Sequence, residues 1–276
     1  MARQMFIHEA LSSQTKLNDK QSPQIKILNW NIRNPSIKRA KEQSNWLIQT
    51  GANVIILTEV KDSEGGRFIC DWLESHSFNV FFTQPINSDY CALIATKDFA
   101  SKKLELGIDF LPHRAVSVMS DVCVSPLKRL NIIGFYVPSR GSRNRRNVDK
   151  REFQYQIIDL ISLSFKKFPT SNLIVGGDLN VLERNHFPHY SVFGEWEYEF
   201  YEAFLKSGFV DAYRLLHPNS QEYSWFGKKG NGYRFDHFFV SREISQYIKD
   251  CSYLHITRNL GLSDHSAMLL EADFSG

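Results

Sequence analysis

Short apolar runs that end in polar side chains constrain this chain more than any other feature. The clearest is NLIVGGDLN, Asn172 to Asn180, where a buried-strand pattern closes on two glycines, an acid and an amide. Residues two apart in an extended chain point the same way, so Asp178 and Asn180 leave the strand end on one face. A purely structural strand gains nothing from such an ending. Four further runs also end in, or adjoin, polar residues: IKILNWN (Ile25 to Asn31), NVIILTE (Asn53 to Glu59), LNIIGFY (Leu130 to Tyr136) and FDHFFV (Phe235 to Val240). The triplet Ser263, Asp264 and His265 leads into the apolar run from Ala267 to Leu270.

Apolar patterning predicts strands near 25–31, 53–59, 79–83, 90–96, 114–124, 130–137, 172–178, 234–240, 250–257 and 266–272. It predicts helices near 36–50, 66–75, 145–168 and 195–207. In the last helix, Trp196, Phe200, Ala203 and Phe204 form an apolar stripe, and Glu195, Glu197, Glu199 and Glu202 read as a solvated face. Such a mixture fits either a doubly wound sheet or two packed sheets flanked by helices. The motifs interleave over the whole length with no linker between them, which predicts a single domain over 25–276 after a polar extension, 1–24.

The chain has 276 residues, 42% hydrophobic and 13% aromatic, enough for one large core or two modest ones. Its net charge of +3 is too small to announce a polyanion partner, so any binding charge must be local. Cys70, Cys91, Cys123 and Cys251 lack C-x-x-C spacing; we read them as reduced thiols, neither zinc ligands nor a disulfide framework. No apolar run reaches the length of a membrane span, and the N-terminus lacks a secretory apolar core, which places the expectation in the cytoplasm.

Taken together and in order, Asn31, Glu59, Tyr136, Asp178 with Asn180, Asp236 and Ser263-Asp264-His265 resemble the endonuclease/exonuclease/phosphatase superfamily across almost the whole chain. The segments Ser207 to Pro218, Tyr223 to Phe226 and Tyr233 to Ser241 resemble its exonuclease III and abasic-site endonuclease branch. The resemblance implies an α/β four-layer sandwich, two packed β-sheets flanked by helices, with the site at one end of the sheets. It implies that Glu59 binds a metal with Asn31 and Asp264 close by, and that Asp178 activates a water beside Asn180. His265, paired with Asp236, and the Tyr136 hydroxyl would meet the phosphate.

Glu59, Asp178, Asp236 and Asp264 are four carboxylates that cannot share a cleft without a cation. Carboxylate and amide oxygens suit hard Mg²⁺, with Mn²⁺ as a substitute. After Tyr136 come four arginines in seven residues, Arg140, Arg143, Arg145 and Arg146, which read as a loop tracking phosphates. Arg114 matches a basic position of the same branch. Trp225 and Phe226, with Arg234 close by, mix stacking surfaces with cations, as nucleic-acid contact requires.

Three departures stand out. Arg33 replaces an acid frequent in the nuclease branch, adding a phosphate clamp where a second metal contact could be. His237 stands where Tyr is usual, and the segment after Asn180 is short. The reading is therefore a Mg²⁺-dependent DNA nuclease leaving 3′-hydroxyl and 5′-phosphate ends, with nucleic acid as partner and DNA favoured over RNA. The alternatives are a phosphatase or phosphodiesterase acting on a small phosphorylated molecule or lipid, and a catalytically silent nucleic-acid-binding protein.

Overall fold

A computed structural model describes residues 24–85, 89–124, 127–141, 144–167 and 172–274, without the side chains of 123–124, 144–146 and 164–167. Two six-stranded mixed sheets lie face to face. The first has the order β13-β14-β1-β2-β4-β3, built from β1 (Gln24–Asn31), β2 (Val54–Val60), β3 (Asn79–Phe82), β4 (Cys91–Thr96), β13 (Ile248–Leu254) and β14 (Ala267–Asp273). The second runs β5-β6-β7-β8-β12-β9: β5 (Ala100–Lys103), β6 (Ala115–Val124), β7 (Leu127–Tyr136), β8 (Leu173–Asp178), β9 (Phe209–Asp211) and β12 (Asp236–Ser241). A small ribbon pairs β10 (Trp225–Phe226) with β11 (Gly232–Tyr233).

Helices α1 (Ile37–Gln49) and α2 (Glu64–Ser75) cover the first sheet, where Trp46, Leu47, Ile69 and Leu73 pack on Leu28, Trp30, Ile55 and Leu57. On the second sheet, α3 (Asn144–Lys167) and α4 (Glu195–Lys206) set Phe153, Ile157, Phe200 and Phe204 against Ile133, Phe135, Val175 and Phe239. Three short helices, α5 (Ala212–Leu216), α6 (Arg242–Ser245) and α7 (Ile256–Asn259), fill corners. The expected four layers are present.

Strand parity explains the layering. Ile25 and Ile27, Val54 and Ile56, Leu130 and Ile132, Ile174, Phe238 and Val240 share the core between the sheets, while their odd-step neighbours face the helices. A Cβ on Gly176 would lie 2.7 Å from the Phe238 ring and 2.8 Å from Ile56, so this glycine lets the sheets approach. Its role is packing between the sheets. Among the described residues no helix is long and apolar enough to cross a membrane.

Candidate active site

The same parity delivers the polar ends to one place. β1 pairs parallel with β2, and β7 with β8, so all four finish at the same end of the sandwich. Continuing each inner-face row by two residues gives Asn31 after Ile27 and Asn29, Tyr136 after Ile132 and Gly134, and Asp178 after Ile174 and Gly176. β12 runs the opposite way and begins there, with Asp236 directly across from Asp178. Glu59 has the wrong parity. A regular strand would turn it to the helices, but β2 breaks register between Leu57 and Val60, and Glu59 adopts φ 55°. That bulge turns its carboxylate inward. Arg33 and Asn180, at φ 52° and 51°, are also left-handed, so strained backbone is gathered at this end of the fold.

The side chains form a continuous chain of contacts. Tyr136 donates its hydroxyl to Glu59 Oε1 at 3.0 Å. Asn31 Nδ2 donates to the same oxygen at 3.1 Å and to Asp178 Oδ2 at 2.9 Å. Asp178 Oδ1 accepts from the Asn180 backbone at 3.1 Å. His265 Nε2 lies 4.0 Å from Asp178 Oδ2, beyond hydrogen-bond reach, and its Nδ1 is 2.8 Å from Asp236 Oδ2. Ser263 locks the two halves together, donating to the Asn31 carbonyl at 2.6 Å and accepting from the His265 backbone at 3.2 Å. Ser224 Oγ accepts from the Asp236 backbone at 3.2 Å.

The electrostatics are unbalanced towards acid. Burial, then the charge of Asp236, push the Asp178 carboxyl up to about 7, against the opposing pull of His265 and Asn31. Burial alone would depress His265, but the charge and hydrogen bond of Asp236 outweigh it and push the imidazole up to about 10. Burial, followed by Glu59 and Asp178, holds the Tyr136 hydroxyl well above its ordinary value, so it remains a protonated donor at neutral pH. Asp236 Oδ1 is buried with no hydrogen-bond partner among the described residues.

Oxygen donors for a cation face outward from this chain. Glu59 and Asp264 are both partly exposed, and Asp264 Oδ2 accepts from Trp225 Nε1 at 3.1 Å with Arg33 Nε 3.7 Å away. Asn31 is more bracket than ligand: its nitrogen holds two carboxylates and its oxygen accepts from the Arg33 backbone at 2.9 Å. Among the described residues no three His, Cys, Asp or Glu side chains already form a metal cage. The donors present still fit a hard cation that keeps much of its water and takes one or two carboxylates.

The expected substrate-contacting residues divide. Arg33 and Phe226 are exposed, and Phe226 carries the Arg258 guanidinium 4.5 Å above its ring. Trp225 is half-buried, bridged by its backbone to His265. Arg140 is partly exposed and ion-paired with Glu197. Arg143 lies outside the described residues, as does the Arg145 side chain.

Three expectations are corrected. Arg234 is fully buried, held by Glu183, Asp211 and the Tyr201 hydroxyl, and cannot touch a ligand. Arg114 is committed to Asp89 at 2.9–3.2 Å and stacks 4.6 Å from the Tyr136 ring centroid, so it braces Tyr136 and is no open phosphate clamp. Glu197, expected on a solvated face, is fully buried against Lys150. His237, standing where Tyr is usual, places its Nε2 3.0 Å from the Val181 carbonyl.

Two packed six-stranded sheets flanked by helices are a fold this chain shares with solved AP endonucleases. No family model matches the sequence. An exodeoxyribonuclease of Bacillus subtilis is 23% identical over 261 residues, covering 87% of this chain and 96% of its own length. An AP endonuclease from Archaeoglobus fulgidus superposes with a TM-score of 0.73 at 20% identity, covering 90% of this chain and 99% of that one. The 3′ phosphatase NExo from Neisseria, bound to a product DNA hairpin, gives 0.74 at 20% identity and the same coverages.

Proposed function

We propose that this protein is a divalent-cation-dependent phosphodiester hydrolase acting on DNA, a nuclease of exonuclease III type whose catalytic unit spans residues 25–276. The observation that carries the reading is the contact chain from Tyr136 through Glu59, Asn31 and Asp178 to His265 and Asp236. The exodeoxyribonuclease and AP endonuclease names of its relatives support it.

Asp178 is held at both oxygens and accepts a proton readily once ionised above about 7. We assign it the attacking water, with Asn180 beside it. His265 stays cationic, because Asp236 holds its Nδ1–H, and it turns Nε2–H towards the charge that builds on the phosphate. Tyr136, braced by Arg114, fixes Glu59 and offers a neutral hydroxyl to the phosphate edge. Glu59 and Asp264, with Asn31 beside them, would hold Mg²⁺, which when bound neutralises phosphate oxygens and favours departure of the leaving oxygen. Arg33, Arg140, Trp225 and Phe226 line the approach, and cleavage leaves 3′-hydroxyl and 5′-phosphate ends.

The test is cleavage of labelled duplex DNA, single strands, RNA and a generic phosphomonoester, in Mg²⁺ or EDTA, by the parent protein and Asp178→Asn. Mg²⁺-dependent cutting of DNA by the parent alone is expected. Hydrolysis of the small ester with every polynucleotide left intact would reject the nuclease reading.

A further inference from the structure

Behind the catalytic loop lies a buried ion pair that the mechanism does not use. Lys150, in the first half of α3, is fully buried, and so is Glu197 at the start of α4. The Lys150 ammonium donates to Glu197 Oε1 at 2.5 Å and to the backbone carbonyl of Asn180 at 2.8 Å. Glu197 Oε2 accepts from the Gly194 backbone at 2.9 Å, which ties the pair to the helix N-terminus, and also takes Arg140. Four segments therefore meet at one ammonium–carboxylate pair: the loop after β7, α3, α4 and the loop after β8.

Asn180 is the residue this pair grips, and its backbone is left-handed. That conformation is uncommon outside glycine and persists where surrounding contacts over-determine it. It turns the Asn180 N–H back onto Asp178 Oδ1 and lets its amide nitrogen reach the Val137 carbonyl at 3.0 Å. A carbonyl pinned from behind by a buried cation fixes the peptide plane, and with it both contacts. Buried ion pairs are poor sources of stability, since well-packed apolar replacements are often as stable. A site where an ammonium touches a catalytic loop is where such a pair has another use.

We propose that Lys150 and Glu197 are positioning residues, holding the Asn180 peptide so that Asp178 and Asn180 keep their reactive geometry. The inference rests on the reading above that Asp178 and Asn180 serve phosphodiester cleavage. It assigns the pair an effect on turnover and none on DNA affinity.

The experiment compares the parent with Lys150→Met and the apolar double variant Lys150→Met/Glu197→Leu, on labelled duplex DNA with Mg²⁺ and by urea unfolding. In the double variant no buried charge is stranded, so it should unfold near the parental midpoint. Its kcat should nevertheless fall ~10- to 100-fold, the effect of a slight misplacement of a reacting group, with KM within about threefold of parental. A folded double variant with parental kcat overturns the proposal, and so does one whose KM alone rises. If neither variant folds, Glu197→Gln, which keeps the shape, decides: a lowered kcat at unchanged KM supports the assignment and a parental kcat overturns it. A parent protein that cuts no DNA would instead reject the functional reading itself.

Discussion

Two charge clusters of this fold contrast, and only one of them is balanced. Glu183 and Asp211 meet Arg214 and Arg234, two carboxylates against two guanidiniums, with Tyr201 closing the ring of contacts. Burial alone would raise both acids. The guanidiniums outweigh it and hold Glu183 and Asp211 below their ordinary values. At the end of the sheets lie Glu59, Asp178, Asp236 and Asp264, with His265 paired to Asp236 and Arg33 3.7 Å from Asp264. There Asp178 is pushed up to about 7 and an oxygen of Asp236 has no partner among the described residues. The first cluster is balanced in charge, with one guanidinium nitrogen, Arg234 Nη1, buried without a hydrogen-bond partner among the described residues. The second is shaped for something positive that the described residues do not supply, followed by something negative.

That contrast can be broken most forcefully at Asp178. Asp178→Asn should lower the cleavage rate on the order of 10²- to 10⁴-fold, the scale for a positioned base. It should leave the urea midpoint at pH 8 equal or higher, because it removes a carboxylate that the fold disfavours. Arg234→Met should do the reverse. Stranding Asp211, while Glu183 keeps Arg214, should cost roughly 3–5 kcal/mol of stability, read from urea unfolding, with activity lost only in proportion to the unfolded fraction. A large rate loss in a fully folded Arg234→Met would erase the distinction between the clusters.

The pH dependence of stability separates them more finely. In metal-free protein Asp178 binds its proton more tightly when folded, so that contribution is present below about 4 and lost as pH rises through about 7. Asp211, held below its ordinary value, contributes stability present above about 4 and lost as pH falls further. Urea midpoints in EDTA should therefore decline between about pH 4 and 7 in the parent and stay flatter in Asp178→Asn. The smallest effect is expected at the rim. Trp225→Phe removes one hydrogen bond to Asp264, about 1 kcal/mol, and should slow cleavage roughly fivefold.

Much of this was legible in the sequence because strand parity is a local property. Once IKILNWN or NLIVGGD is read as a strand with one face inward, Asn31 and Asp178 must each point inward from their own sheets, where they meet at 2.9 Å. The observed helices α1 to α4 also lie within a residue or two of the predicted spans. What stayed hidden depends on residues far apart in the chain. Glu59 reaches the site only through a bulge, which no pattern in NVIILTE announces. Glu197 looked solvated because its partner Lys150 comes from another helix. Arg234 looked free for the same reason, its acids lying 51 and 23 residues away. The need for Gly176 is equally non-local, since the ring that packs against it belongs to Phe238.

The central claim is that the acid-rich end of the sheets is completed by a divalent cation while the Glu183–Arg234–Asp211 cluster needs none. Crystals grown with Mn²⁺ and measured for anomalous scattering would test it most directly. The account predicts a peak within coordination distance of Glu59, on the side facing Asp264, and none beside Glu183 or Asp211. A saturating Mn²⁺ concentration that leaves Glu59 bare, or that places the metal elsewhere, would contradict it.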